Sequence, residues 1–517
     1  MTPLANILPA DLGLLSPYVF AKLFGFFITI VAIYGTYIAI YNIFFHPAKH
    51  IPGPLFARMT PIPYIYHVRT GSIVSWLAAS HKKYGDAVRL APNEVSFSSG
   101  DTAWPDIYGF RTGKHKDTGV YSKDRSWLPK PINGVINILN ADEVNHTRMR
   151  RTLAHAFSDK SLREQESLLQ EYVDLLVQRL SQCAAEGKSA DIMRWYNYFT
   201  FDVISDLAFG EPLYGLRDSK QHIWIDLILG SIKASSFLAL REKYPLIAWY
   251  ENFKHMFKND QGLHRMRAEF YAKCTDKVEK RVNTENAKPD FFSSILRHNG
   301  IEGKGLSRGE MVANSVILLT AGSETTATTL STTTYLVLRH REVYDKVVDE
   351  IRSAFSSYED ITLDAVNNLP YTIACFTEAL RIHPPVPTGF PRVAPSNGGI
   401  VSGIYIPGGT TVYVSQHSVS HSEHNFKDSD KFVPERWLGD TKYKDDKRDA
   451  VQPFSFGPRG CLGRNLAYAE MRLAFAKLLF TFDLELVDKD LEWLEGQKVF
   501  GLWDKPELMI RVTHVEH

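Results

Sequence analysis

The sequence predicts a mainly α-helical protein with small β-sheets, organised as one large domain behind a single membrane-spanning helix. Three observations carry that expectation. An uncharged run of 23 residues stands near the N-terminus; long helical patterns, broken by charged loops, fill most of the remaining chain; and alternating β-rich stretches are short, as at Asp86–Phe97 and Gly399–Val414.

The 517 residues, 44% hydrophobic and 23% charged, exclude low-complexity disorder and suffice for a large core. Lys plus Arg total 59 against 58 Asp plus Glu, so no basic footprint for nucleic acid exists and no nucleic-acid partner is expected. The four cysteines, Cys183, Cys274, Cys375 and Cys461, lie too far apart for a CxxC metal site and do not suit a disulfide framework, which points to a reducing compartment.

Residues 1–22 form an N-terminal segment. Leu23–Phe45 then spans about 30 Å of hydrocarbon as one helix, read as a retained signal anchor because neither a short apolar region nor a small-residue cleavage site precedes His46. Lys49 and Arg58 follow it, against Lys22 and Asp11 before it, so the positive-inside bias places the body in the cytosol. In residues 46–54, Pro47, Pro52 and Pro54 suppress helix and make a hinge. Residues 55–517 carry no linker, repeat or composition step, and read as one domain.

The most informative segment is Phe454–Gly463, FSFGPRGCLG, followed by a helical pattern. A cysteine just before a helix meets backbone N–H groups and the positive helix end, both favouring thiolate, while Gly457, Gly460 and Gly463 permit a tight loop close to a flat ligand. A buried structural cysteine is the plainer reading of Cys461 alone. Phe454-x-x-Gly457-x-Arg459-x-Cys461-x-Gly463, however, resembles the haem-binding signature of the cytochrome P450 family at five fixed positions. The resemblance implies the cytochrome P450 fold with haem b (iron protoporphyrin IX). It makes Cys461 the axial iron ligand, turns Arg459 towards a haem propionate and packs Phe454 beside the thiolate.

Three further segments fit that family in its order. Glu378-Ala379-Leu380-Arg381 resembles its ExxR motif, and Phe432–Trp437 the segment that supplies Arg436, which implies a buried structural triad of Glu378, Arg381 and Arg436 instead of a surface ion pair. In AGSETT, Ala321 and Gly322 offer a face poor in side chains for the haem, and the resemblance assigns Glu324 and Thr325 to proton delivery. A bond from Thr325 to the Ala321 carbonyl is the alternative. NHTRMRRTLAHAFS resembles the helix crossing one haem edge, with His146 where many members carry Trp and Arg150 four residues on as propionate donors. Arg392 matches a further propionate arginine, and Val386–Phe390 before it would face substrate.

The implied activity is monooxygenation: one oxygen atom of O2 enters an apolar small molecule, with electrons from a membrane-bound NADPH-cytochrome P450 reductase. The resemblance is to membrane-anchored fungal members of secondary-metabolite pathways, with the body on the cytosolic face of the endoplasmic reticulum. Membrane lipid is therefore an expected partner, and Arg148 and Arg151 offer a reductase surface unless they are simply a solvated face. An oxygen-independent isomerase or dehydratase on the same fold, and a non-catalytic haem-thiolate sensor, are the alternatives. A hydrolase reading of Gly305-Leu306-Ser307-Arg308-Gly309 fails because no strand precedes it and Ser307-x-x-Glu310 reads as a capping box. His417, His421 and His424 as a zinc site lack an acidic second shell. The substrate-lining stretches are expected within Asp101–Lys130 and Ile223–Tyr250.

Overall fold

The computed structural model describes residues 17–116, 118–219, 223–255, 262–284, 290–298 and 305–515. The expected N-terminal segment lies, up to residue 16, outside the described residues. Helix α1, Pro17–Ile40, continues into a π-helical turn at Tyr41–Phe45, so helix is present six residues before the expected start at Leu23. It is apolar on every side and no part of its apolar window is buried, as suits a segment whose solvent would be lipid. Its end is tied to the body. Arg89 Nη1 donates to the Asn42 carbonyl at 2.8 Å, and Asn42 Nδ2 to the Met59 carbonyl at 2.9 Å. The Pro-rich segment lies directly on the first strand: the Arg89 N–H donates to the Pro52 carbonyl at 2.7 Å, and a Cβ on Gly53 would stand 2.2 Å from the Arg89 carbonyl oxygen.

The main sheet is built from β1 (Ala87–Ala91), β2 (Glu94–Phe97), β3 (Ser122–Lys123), β4 (Arg392–Val393) and β5 (Thr411–Val414), in the order β1-β2-β5-β4-β3. β2 and β5 run parallel, with Glu94 opposite Thr411 and Ser96 opposite Tyr413; the other pairs are antiparallel. Alternation sends Val95, Phe97, Val412 and Val414 to one apolar cluster, and Glu94, Thr411 and Tyr413 to the opposite face. The sequence reading missed the C-terminal strands Phe482–Leu486, Lys498–Phe500, Leu502–Asp504 and Met509–His514, the last of which also pairs with Ala190–Asp191.

Helices supply most of the body. Those that position the site are α2 (Glu143–Ala154), α3 (Ile192–Phe209), α4 (Ile223–Lys243), α5 (Gly262–Val282), α6 (Arg308–Arg339), α7 (Pro370–Ile382) and α8 (Arg464–Thr481). The Ser307–Glu310 capping box opens α6, as the spacing predicts, and at about 1.5 Å per residue its 32 residues cross the body. Its hydroxyls, from Thr320 through Thr325 and Thr328 to Thr333, donate to carbonyls four residues back, which lets a threonine-rich helix be buried.

Candidate active site

The Cys461 loop is closed by its own backbone: the Cys461 N–H donates to the Phe454 carbonyl at 2.7 Å, and Gly457–Arg459 form a 3-10 turn between them. Gly457 has φ +72°, and a Cβ there would stand 2.0 Å from the Tyr108 carbonyl oxygen, so only glycine fits. Gly463 caps α8. Phe454 packs against Tyr468 at 5.0 Å between ring centroids. Cys461 keeps accessible surface although protein surrounds it closely. Burial raises the thiol above its ordinary pKa, against the opposing Gly463 N–H and the charges of Arg150 and Arg464. The helix end alone, on which the sequence argument relied, does not outweigh burial.

Around this loop lies a group of basic side chains from four elements. His146 and Arg150 stand on α2, Lys123 on β3, Arg392 on β4 and Arg459 in the loop itself. Arg150 Nη1 donates to the Gly460 carbonyl at 2.7 Å, and Arg459 Nη2 to the Ala141 carbonyl and Glu143, both at 2.9 Å. His146 is buried and held neutral, pushed down to about 3 by burial and then by Arg459, Lys123, Arg150 and Arg392. Burial, with Arg392 and Arg459 nearby, likewise pushes the Lys123 ammonium well down, and burial lowers Arg392 to about 10. Three guanidinium nitrogens here, Arg459 Nε and Nη1 and Arg392 Nε, are buried without a partner. Leaving such donors unmade is costly, and carboxylates of a bound ligand would supply both acceptors and countercharge. The donor set therefore fits the propionates of a haem ligated by Cys461. Lys123, which donates to the Leu139 carbonyl, was not found from the sequence: one lysine in a charged loop carries no motif.

On α6, Ala321 and Thr325 share one face, four residues apart, and both line a largely apolar cavity of about 380 Å³. Thr325 Oγ1 donates to the Ala321 carbonyl at 2.6 Å. Gly322 does not belong to that face. A Cβ on it would meet Ile204 Cδ1 at 2.8 Å, so this glycine lets α3 approach α6 instead of opening α6 to a flat ligand. Glu324 also turns away from Thr325, as successive residues about 100° apart on a helix must. It is buried and ion-paired to Lys505, which also donates to Thr328 at 2.9 Å. Glu324 Oε2 is buried without a partner, and the residue borders a second cavity of about 270 Å³ that shares only Ile232 and Leu502 with the first. Lys505 is a further residue the sequence did not disclose, since 181 positions separate it from Glu324.

The main cavity takes Ser126–Pro129 and several α4 residues from the two expected stretches, with Val386, Thr388 and Phe390 from the expected substrate-facing segment. Away from it, Glu378, Arg381 and Arg436 are wholly buried. Arg381 Nε and Nη2 reach the Glu378 carboxylate at 2.8 Å each, Arg436 Nε at 2.9 Å, Trp437 Nε1 at 2.8 Å and the Val433 N–H at 3.0 Å. Burial would raise Glu378, but Arg381, Arg436 and the Val433 N–H hold its carboxyl below the usual range. Asp446 pairs with the far side of Arg436 and, with Trp437, extends the triad that the family resemblance implies into a network.

The reductase-surface expectation is corrected at Arg148. Arg148 is not part of an open basic surface, because Glu310 takes its guanidinium at 2.5 Å and the Gly305 carbonyl accepts from it at 2.7 Å. His417 stacks on His421 at 4.1 Å, and His421 bonds Asp430 and the Ile382 carbonyl, a packing role for the pair.

A cytochrome P450 family model matches residues 59–510. Similar proteins include the cytochrome P450 monooxygenase traB of Penicillium crustosum, 45% identical over 95% of this chain and 97% of its own. Another is lcsI of Purpureocillium lilacinum, 44% identical over 92% and 91%. A third is aclL of Aspergillus oryzae, 40% identical over 92% and 96%. The chain belongs to the cytochrome P450 family. It is an enzyme of the oxidoreductase class, a cytochrome P450 monooxygenase.

Proposed function

We propose that the protein binds haem b through Cys461 and uses it to insert one oxygen atom of O2 into an apolar small molecule, by hydroxylation, epoxidation or a related oxidation. The observation that supports this most is the convergence of Cys461 with partnerless buried donors on Arg459 and Arg392, together with a largely apolar cavity lined by Ala321 and Thr325. Thiolate-ligated haem supplies the oxygen-activating chemistry. Arg150, Arg392, Arg459 and Lys123 would hold and neutralise its propionates, with neutral His146 as a hydrogen-bond donor; Arg150 would also fix the loop that carries the thiolate. The cavity would exclude water from the reacting carbon.

Glu324 and Thr325 would deliver protons, and their divergence on α6 sets how. Thr325 presents its hydroxyl to the main cavity, while Glu324 takes protons from the second cavity after release from Lys505, so ordered water must bridge the two faces. Electrons would come from NADPH-cytochrome P450 reductase. The α1 helix, with Lys49 and Arg58 following it, supports a single-pass anchor in the endoplasmic reticulum with the body in the cytosol. Similarity to fungal P450 monooxygenases supports a place in fungal secondary metabolism.

The test is a reconstitution. Reduced protein under carbon monoxide should show the red-shifted Soret band of thiolate-bound haem, and product should require reductase, NADPH and O2. Turnover without reductase would move the protein to the isomerase class.

A further inference from the structure

The cavity lining contains two formal charges among the described residues, Lys243 and Arg267, and no carboxylate. Both stand on packed helices, α4 and α5. Lys243 closes α4, Arg267 stands near the start of α5, and Lys130 links them: its ammonium meets Glu242 at 3.0 Å while its carbonyl accepts from Arg267 Nη2 at 2.8 Å. Both acceptors for the Lys243 ammonium stand behind the wall, Glu94 at 2.5 Å and Asp124 at 3.6 Å, with Thr411 and Ser126 completing the Asp124 shell. Glu94 and Asp124 fix the ammonium against the sheet without entering the cavity. Tyr64 and Tyr413, which line the same wall, also lie beside Glu94. Arg267 differs, because no carboxylate among the described residues pairs with it and burial alone lowers its pKa.

Neither a lysine nor an arginine accepts a hydrogen bond, so in a largely apolar chamber Arg267 presents donors and a charge no carboxylate among the described residues offsets, while Lys243, its charge offset by Glu94 and Asp124, presents a donor. We infer that Lys243 and Arg267 form a docking point for an oxygen acceptor on the substrate, a carbonyl or a carboxylate. The rest of such a molecule would be hydrocarbon and would lie against Leu240, Phe270 and Val316. This deepens the monooxygenase reading, resting on its assignment of the main cavity to substrate. Lys243 and Arg267 would set which molecules enter and in which direction, without touching the proton path.

Equilibrium dialysis of full-length holoenzyme in lipid nanodiscs, corrected with empty nanodiscs, tests it with four radiolabelled probes. They are laurate, methyl laurate, dodecane and dodecyltrimethylammonium. One charge-assisted hydrogen bond makes an oxygen-bearing probe about tenfold tighter than dodecane. Arg267→Met should remove the advantage of laurate. The triple change Lys243→Met, Glu94→Gln and Asp124→Asn, which removes the ammonium together with both of its carboxylate partners, should remove that of methyl laurate. A carboxylate-specific site loses only the first advantage, a carbonyl-specific site only the second, and either supports the inference. It is overturned by no saturable binding of an oxygen-bearing probe, by equal affinity for dodecane, by preference for the quaternary ammonium, or by a preference that survives both changes. Any of those results with an intact carbon monoxide band and coupled turnover would leave the monooxygenase reading standing.

Discussion

Two buried arginine clusters in this protein use the same residue types to opposite ends. Around Glu378, the carboxylate accepts from Arg381, Arg436, Trp437 and Val433, and the outer guanidinium nitrogens find Asp446 and the carbonyls of Ser420 and Ser429. Around Cys461, Arg459 and Arg392 keep three buried nitrogens without partners, and one glutamate, Glu143, meets several cations. A closed network holds a fold; an open one is built to be completed by a ligand. What separates them is the account of donors and acceptors: the closed cluster sets two carboxylates against two guanidinium groups, whereas the open one sets Glu143 against Arg459, Arg392, Arg150 and Lys123.

The largest effect should come from breaking the closed cluster. Glu378→Ala leaves the buried Arg381 guanidinium without a carboxylate and Arg436 with Asp446 alone, and removing one partner of a buried ion pair costs about 3–5 kcal/mol, a large share of a domain's stability. We expect little soluble protein with a carbon monoxide band, and a large drop in the urea midpoint of what remains. A variant as stable as wild type would mean that the network is incidental.

Breaking the open cluster should spare the fold. Cys461→Ala should abolish the thiolate-haem band, whereas Cys183→Ala, Cys274→Ala and Cys375→Ala should keep it. Persistence of the band in Cys461→Ala would remove the ligand assignment. Arg392→Leu should weaken haem retention by about tenfold or more, read by haem transfer to apomyoglobin, while the urea midpoint of the apoprotein stays or rises because a partnerless buried donor is gone. A lower apoprotein midpoint would place Arg392 with the closed cluster instead.

A smaller and more selective change belongs to the α6 pair. Thr325→Ala should leave haem binding intact and divert electrons from NADPH to hydrogen peroxide. General-acid groups contribute about 100- to 10,000-fold, and water replacing the hydroxyl should reduce the loss of product per NADPH to about tenfold. Unchanged coupling would assign the Thr325 hydroxyl to its bond with the Ala321 carbonyl. Lys505→Met should slow product formation differently, by leaving Glu324 buried without its counter-ion.

What could be read from the sequence was whatever is local. The Cys461 loop and the Glu378–Arg381 spacing place their partners within ten residues, and helical geometry does the rest. Gly322 was misread because smallness does not say which neighbour fills the space, and here Ile204 on α3 fills it. Arg148 was misread because its partner Glu310 lies 162 residues away. Lys123 and Lys505 carry no motif, and only the sheet and the C-terminal hairpin bring them to the site.

The subtlest contrast is in acid, and it turns on two histidines, one inside the open cluster and one outside both clusters, beside Lys505. His146 lies in the open cluster and is pushed down to about 3 by burial and the surrounding cations; His383 is pushed down to about 3 by burial and then Lys505, with Trp503 stacked on it at 4.1 Å. Both are neutral in the folded chain, whereas unfolded histidine takes a proton near pH 6.5. The unfolded state therefore binds more protons below that pH. The stability each contributes is intact above about pH 6.5 and is lost progressively as pH falls towards 3, the opposite of a paired lysine. A carboxylate-bearing ligand at the open cluster would offset the charges of Arg459, Lys123, Arg150 and Arg392, making His146 easier to protonate in place. Urea titrations of apo- and haem-loaded protein between pH 7 and 4 should then show a shallower acid loss with haem. His146→Gln should remove the difference in slope between the two forms, and His383→Gln should lower both slopes equally. Equal slopes in wild-type apo- and haem-loaded protein would show that the ligand's carboxylates do not face His146.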